Sequence, residues 1–413
     1  MRRVPILLTL VSVGILLLVA SAQASPSCGQ MRNWLRQGGG PVSGLIVVDA
    51  ESGQMLCGSA VGVQRPLASN MKLFTTSTAL SRIGPKTRIP TKVFSDGRLD
   101  AEGVLHGSLY LKGGGDPALG TPRFYDRNLG GLGTNIFDLR AQVRAAGITA
   151  ITGRLYADDT IFDRLRGVAD SGYATSAEIG PLSGLDFNSG FSGAGIASGF
   201  ASDPAKLAAS KLAQSLRAGG IKMPAQVALG KTPAQASSIA VVHSPTLSRI
   251  VDYTDVYSYN FFAEMLIKLI GARLGSGGTT AAGAAVVAAF ARAHGSGVHA
   301  VDGSGLTRGN RASPRQVAGL LLNMRRDPVG DEFIQDLALA GHEGTVADRM
   351  HGTAANGRCR TKTGTLTGVS NLSGYCFNAD GRVMIFSVLM GSVLNLSLAH
   401  LDQDRIAGAV ASY

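Results

Sequence analysis

Apolar and polar positions follow three different rhythms along this chain. An apolar run at 42–48, the turn-forming Glu51-Ser52-Gly53 and a second run at 55–58 predict a β-hairpin. Apolar Leu73, Phe74 and Leu80 follow at helical spacing, and Gly84-Pro85 closes that helix, so Ser69 is expected at a helix N-terminus. From 91 to 244 the rhythm changes. Short β-like runs such as 109–111 and 155–157 alternate with glycine, aspartate and proline turns, which predicts a strand-rich inserted domain. Helices are then expected at 261–274 and 280–294, and a third from Ser313, an N-cap followed by Pro314, to a point before Pro328. Strands at 359–366, 372–377 and 383–390 precede a helix at 397–410. The first hairpin and the last strands need partners, so the expectation is an α/β fold with one helix-flanked sheet built from both chain ends.

Length and composition refine this outline. With 413 residues, 45% of them hydrophobic, the chain can bury a large core and exceeds a usual single domain. Arg2 and Arg3, an apolar stretch to Ala20 and the small-residue Ala22-Gln23-Ala24 read as an export leader over 1–24. Its apolar run would also serve as an uncleaved anchor, although it is short for a bilayer span. A formal charge of +11 fits loose attraction to anionic envelope surfaces, or simply a solvated basic surface. An exported chain without a basic stripe interleaved with aromatics argues against nucleic acid. Four cysteines in such a chain suggest disulfides. A turn at Thr367-Gly368 would set Cys359 opposite Cys376 across a hairpin, which favours that pair together with Cys28–Cys57 over two other pairings or free buried thiols.

The candidate chemistry lies in three short motifs. Ser69 and Lys72 are three apart on a helix, so both face one way and the amine can take the hydroxyl proton if burial or a nearby cation keeps it uncharged. Ser258-Tyr259-Asn260 and Lys362-Thr363-Gly364-Thr365 follow. Each motif is weak alone, yet in this order they supply a nucleophile with a base, a proton relay and donors for a substrate's carbonyl and carboxylate. Glu264 and Lys268, four apart on one helix, are expected to pair, and Asp116 and Asp302 read as structural. The seven histidines show no ligand spacing, so neither a metal nor another cofactor is expected.

The Ser-x-x-Lys, Ser-x-Asn and Lys-Thr-Gly set resembles that of penicillin-binding proteins and serine β-lactamases. Within these, the chain is similar to the D-alanyl-D-alanine carboxypeptidase/endopeptidases of family S13, the low-molecular-mass class C or penicillin-binding protein 4 type. Further matches lie at 66–73, at 109–119 with its Gly-Gly-Asp-Pro, at Ile179-Gly-Pro-Leu-Ser183, at Ala263-Glu264, and at Asp302-Gly-Ser-Gly-Leu306 leading to Ser313-Pro314. The resemblance implies a β-lactamase/transpeptidase-like fold, an antiparallel sheet flanked by helices, with a catalytic domain at 25–90 and 245–413 around the insertion at 91–244. It implies that Ser69 attacks, Lys72 is the base and Ser258 relays a proton. Asn260, Lys362, Thr363, Gly364 and Thr365 would bind substrate, and the Ser69 and Thr365 amides would form the oxyanion hole. The implied partners are peptidoglycan stem peptides, with β-lactams as covalent inhibitors. The resemblance also implies trimming of stem-peptide ends, with cutting of cross-links open to the same groups. A β-lactamase, a transpeptidase or a non-catalytic wall protein are the alternatives. Tyr259 stands where the family usually has an acidic or amide residue, and packing is expected for its ring.

Overall fold

The computed structural model describes residues 27–413; the expected leader at 1–24 lies outside the described residues. Both ends of the chain enter one antiparallel sheet. Its strands are β1 (Gly44–Asp49), β2 (Met55–Ser59), β3 (Ala338–Leu339), β4 (Cys359–Leu366), β5 (Val369–Phe377) and β6 (Val383–Gly391), in the order β3-β4-β5-β6-β1-β2. Side chains alternate between the two faces, as strand geometry requires. Leu45, Val47, Met384 and Phe386 pack under the terminal helices, while Ile46, Val48, Ile385 and Leu389 face the central ones.

The helices around this sheet are α1 (Cys28–Gly39), α2 (Met71–Ile83), α3 (Leu247–Val256), α4 (Asn260–Leu274), α5 (Thr280–Ala293), α6 (Pro314–Met324) and α7 (Leu396–Val410). Helix α6 starts in a capping box between Ser313 and Gln316. Helix α1 has no counterpart in the hydrophobic pattern, because its buried face is only Met31, Leu35, Gly38 and Gly39. Helix α2 is central and buried from Met71 to Leu80 in spite of its threonines. Those hydroxyls are satisfied locally: Thr76 donates to the Lys72 carbonyl at 2.6 Å and Thr78 to the Phe74 carbonyl at 2.7 Å.

Strand β5 begins three residues before the expected 372, since Ser370 and Asn371 are polar and yet buried. Their partners explain this. Ser370 Oγ accepts from Gln403, and Asn371 Nδ2 donates to the Pro66 and Leu67 carbonyls at 3.0 and 2.8 Å. The Thr367-Gly368 turn puts Cys359 opposite Cys376, and disulfides join Cys359 to Cys376 and Cys28 to Cys57.

Between α2 and α3 the chain builds a second sheet with strands Val227–Leu229, Leu155–Asp158, Leu109–Lys112, Arg88–Ser95 and Ser237–Thr246 side by side. This sheet has its own core, to which two helices, Asp138–Ala145 and Pro204–Ala218, contribute. The pattern of short β-like runs had indicated neither helix. Arg88–Ser95 and Ser237–Thr246 pair antiparallel, so the chain leaves and returns on neighbouring strands, and Thr246 leads directly into α3.

Candidate active site

The nucleophile candidate sits in a tight bend. Residues Ala68–Asn70 form a short 3₁₀ turn ahead of α2, and Ala68 takes a left-handed φ of 46°. Neighbouring strands clamp the bend. Asn70 Nδ2 donates to the Lys362 carbonyl at 3.0 Å, and Asn70 Oδ1 accepts from Ser373 at 2.6 Å. Gly364 of β4 comes so near that a Cβ there would lie 2.9 Å from the Leu67 carbonyl and 3.1 Å from the Ser69 amide nitrogen. This close approach is the physical need for glycine in the third motif.

Lys72 Nζ is the hub. It lies 2.9 Å from Ser69 Oγ, 2.7 Å from Asn260 Oδ1 and 2.9 Å from the Ser304 carbonyl, and its side chain has no exposed surface. Burial, then the like charge of Lys362, hold its pKa well below the ordinary lysine value. Ser304 belongs to a loop that the chemistry-bearing motifs did not single out. Glu264 Oε1 holds the loop by accepting from the Gly303 and Ser304 amides at 3.0 and 2.6 Å. Asp302 fastens the other side, accepting from the Gly305 and Thr307 amides and from Asn310. Asp302 is thus structural, as expected.

The expected Glu264–Lys268 pair does not form. Lys268 bonds Asp163 of the insertion instead, because the fold turns both residues into the core, where longer-range partners outcompete a helix neighbour. Burial and the neighbouring Asp302 push the Glu264 carboxyl up to about 8.

The other motifs arrive at the same place. Ser258 occupies the bend between α3 and α4 with a left-handed φ of 57°, and its hydroxyl makes no hydrogen bond among the described residues. Asn260 spends its oxygen on Lys72, while Nδ2 points toward the Glu178 carbonyl of the insertion at 3.4 Å. The Tyr259 ring packs edge-on against Tyr253 and Phe262, and burial lifts its phenol to about 12, which fits the expected packing role. Lys362 is fully buried, and burial lowers it to about 8 against the opposing pull of Asp255. Thr363 bonds Thr345 at 2.9 Å, whereas Thr365 is exposed. Asp116 is buried, accepting from the Ala118 amide and Thr134, so its structural reading holds.

This constellation of a serine, two buried lysines and a clamped β4 can be set beside known proteins. The sequence matches the D-Ala-D-Ala carboxypeptidase 3 (S13) family over residues 30–183 and 193–411. The chain belongs to the S13 peptidase family. It is 31% identical to a D-alanyl-D-alanine carboxypeptidase of Actinomadura sp. (strain R39), over 91% of this chain and 82% of that relative. A carboxypeptidase of Mycobacterium tuberculosis is 28% identical over 85% of this chain and 76% of its own length. Among solved structures, penicillin binding protein 4 from Haemophilus influenzae superposes with a TM-score of 0.77 at 20% identity, covering 94% of this chain and 99% of that one. The same protein complexed with a β-lactam superposes at 0.75 and 19% identity, with the same coverage. The S13 chain therefore has the transpeptidase-like fold expected from its motifs. In it, β3 pairs with β4 at Arg360 and Thr361, and from Lys362 onward the outer edge of β4 has no strand partner among the described residues. An edge of this kind can receive an extended peptide as an added strand.

Proposed function

We propose that this S13 peptidase is a serine-type D-Ala-D-Ala carboxypeptidase that works on peptidoglycan stem peptides through an acyl-enzyme on Ser69. One observation carries the reading: the set of partners around Lys72 Nζ. Two of them, Asn260 Oδ1 and the Ser304 carbonyl, only accept hydrogen bonds. An uncharged amine has two N–H bonds, which these acceptors use, so its lone pair is left for the Ser69 hydroxyl 2.9 Å away.

In this mechanism Lys72 takes the Ser69 proton as Oγ bonds to the penultimate D-alanine carbonyl carbon. The resulting oxyanion is held by the Ser69 and Thr365 amides, where each donor is worth about 3 kcal/mol in the transition state. The C–N bond then breaks, and the departing D-alanine amine receives its proton through Lys72 and Ser258. Water hydrolyses the ester by the reverse proton path. Lys362 and the Thr363 and Thr365 hydroxyls attract the terminal carboxylate, and Asn260 Nδ2 and Gly364 align the peptide along β4. The same groups would cut D-alanyl cross-links. A β-lactam would acylate Ser69 and stay attached, because its ring-opened remainder remains on the acyl group and does not leave.

The leader-like 1–24 segment and two disulfides support a place outside the cytoplasmic membrane, and the charge of +11 supports peripheral attraction to anionic envelope surfaces. The test is release of free D-alanine from a peptide ending in D-Ala-D-Ala. Wild type should release it, and Ser69→Ala should be inactive with its fold intact. Activity that survives the substitution would reject the mechanism.

A further inference from the structure

A basic cavity opens where the inserted domain meets the first turn of α3, at the other end of that helix from the Ser258 bend. Its volume is about 360 Å³, and Arg88, His243 and Arg249 line it together with the glycine-rich loop at 130–133. Arg249 lies near the start of α3 and Ser258 just beyond its end, roughly 14 Å apart along the axis at the rise of a helix. The cavity is therefore separate from the catalytic groups.

Each wall has a local cause. Arg88 and His243 come from the two paired strands on which the chain leaves and returns, and the pairing breaks register between His243 and Thr246. Ser244 pins this bulge: its Oγ accepts from the Ile89 amide at 2.8 Å and donates to the Pro245 carbonyl at 2.6 Å. Pro245 has no N–H to give to the ladder, and a bulge of this kind re-aims the side chains beside it. The Ser244 carbonyl also accepts from Arg88 Nη1 at 2.9 Å, which orients the guanidinium and leaves Nε and Nη2 without a partner among the described residues. In the loop, Gly130 and Gly131 take left-handed φ values of 56° and 84°, so that wall is bare backbone. Tyr253 of α3 ties the loop in place by donating to the Asn128 carbonyl at 2.9 Å.

No acid lines the cavity. Among the described residues, none of Arg88, His243 and Arg249 enters an ion pair. Asp252, one turn further along α3, feels the Arg249 charge but does not pair with it. Cationic groups gathered without a counter-charge repel one another, and a bound anion relieves that repulsion. The planar forks of two arginines match phosphate oxygens, which accept from several directions at once. A carboxylate, with two oxygens in one plane, is served by a single arginine.

We infer that this cavity binds a phosphate group, carried either by the phosphodiester chain of an anionic envelope polymer or by free phosphate. Binding there gives the general attraction of a basic protein to anionic surfaces a defined place. The inference goes beyond the acyl-enzyme reading and does not depend on it.

The experiment is calorimetric titration of the full chain with two probes, inorganic phosphate and a poly(glycerol phosphate) chain, at fixed ionic strength, with acetate as a competitor. Arg88→Gln/Arg249→Gln should weaken binding by about tenfold or more, since the loss of one charge-assisted bond is enough for that. Arg98→Gln/Arg326→Gln removes the same charge from exposed arginines outside the cavity and should stay within about twofold of wild type, as expected if contact and not net charge decides. Arg249→Gln alone breaks no hydrogen bond of the protein, so its weaker binding keeps the test decisive if the double variant melts early. D-alanine release from a soluble peptide should be unchanged in all of them. Binding of the polymer assigns the site to a phosphodiester, and binding of inorganic phosphate alone assigns it to free phosphate. Failure of wild type to bind either probe, displacement by acetate as effective as by phosphate, or an equal loss in the control variant would overturn the inference.

Discussion

At the scale of single residues, the site is made of ionisable groups taken out of water. Lys72 is completely buried without a carboxylate among its hydrogen-bond partners, and such an amine is stable only if it gives up its charge. The Ser304 carbonyl that helps hold it depends on Glu264, whose Oε1 accepts two backbone amides. Glu264→Ala should leave those amides unpaired, cost about 2 to 3 kcal/mol in urea unfolding, and slow acylation together with it. Full stability in that variant would show that the loop does not depend on Glu264. The Ser69 and Lys72 spacing was legible because three residues on a helix fix a shared face whatever surrounds it. Glu264 was misread for the complementary reason. Its spacing to Lys268 is right for a pair, but burial on α4 delivers better partners from distant segments.

At the scale of elements, β4 and the Ser69 bend act as one part. Gly364 has room for no side chain against the bend, while Asn70 and Asn371 tie the bend to β4 and β5. Gly364→Ala should push the strand and the Ser69 turn apart by a few tenths of an ångström. Acylation by a β-lactam should fall on the order of a hundredfold, as misplaced catalytic groups do, with a much smaller change in melting temperature. A wild-type acylation rate would mean that the strand can move without cost. The strands themselves were legible from apolar runs and from the Thr367-Gly368 turn. Where the pattern failed, the cause was polarity or brevity: β5 starts with buried Ser370 and Asn371, and α1 buries a face of only four residues. The helices of the insertion were hidden among glycine- and proline-rich turns that favour a strand reading.

At the scale of the whole molecule, both chain ends close on one sheet, and the disulfides fasten that closure. Cys28–Cys57 ties α1 to β2 over a separation of 29 residues, and Cys359–Cys376 braces the strand that carries Lys362 over 17. Loop-closure entropy gives each bond about 3 kcal/mol. Reduction of the second should therefore weaken substrate binding, seen as a raised KM, before the chain unfolds. Identical kinetics in the reduced and oxidised enzyme would show that β4 needs no brace. The insertion returns beside its exit strand and leads into α3, so the Glu178 carbonyl reaches Asn260 and Asp163 reaches Lys268. Three motifs distant in sequence gather around the Ser69 bend, through Lys72 with Asn260 and through Asn70 with Lys362. The most direct test of the chemistry this convergence serves is the intact mass of the protein after benzylpenicillin, followed by mapping of the labelled peptide. A stoichiometric adduct on the peptide that contains Ser69, absent from Ser69→Ala, is the expected result; an adduct on another residue, or none at all, would contradict it.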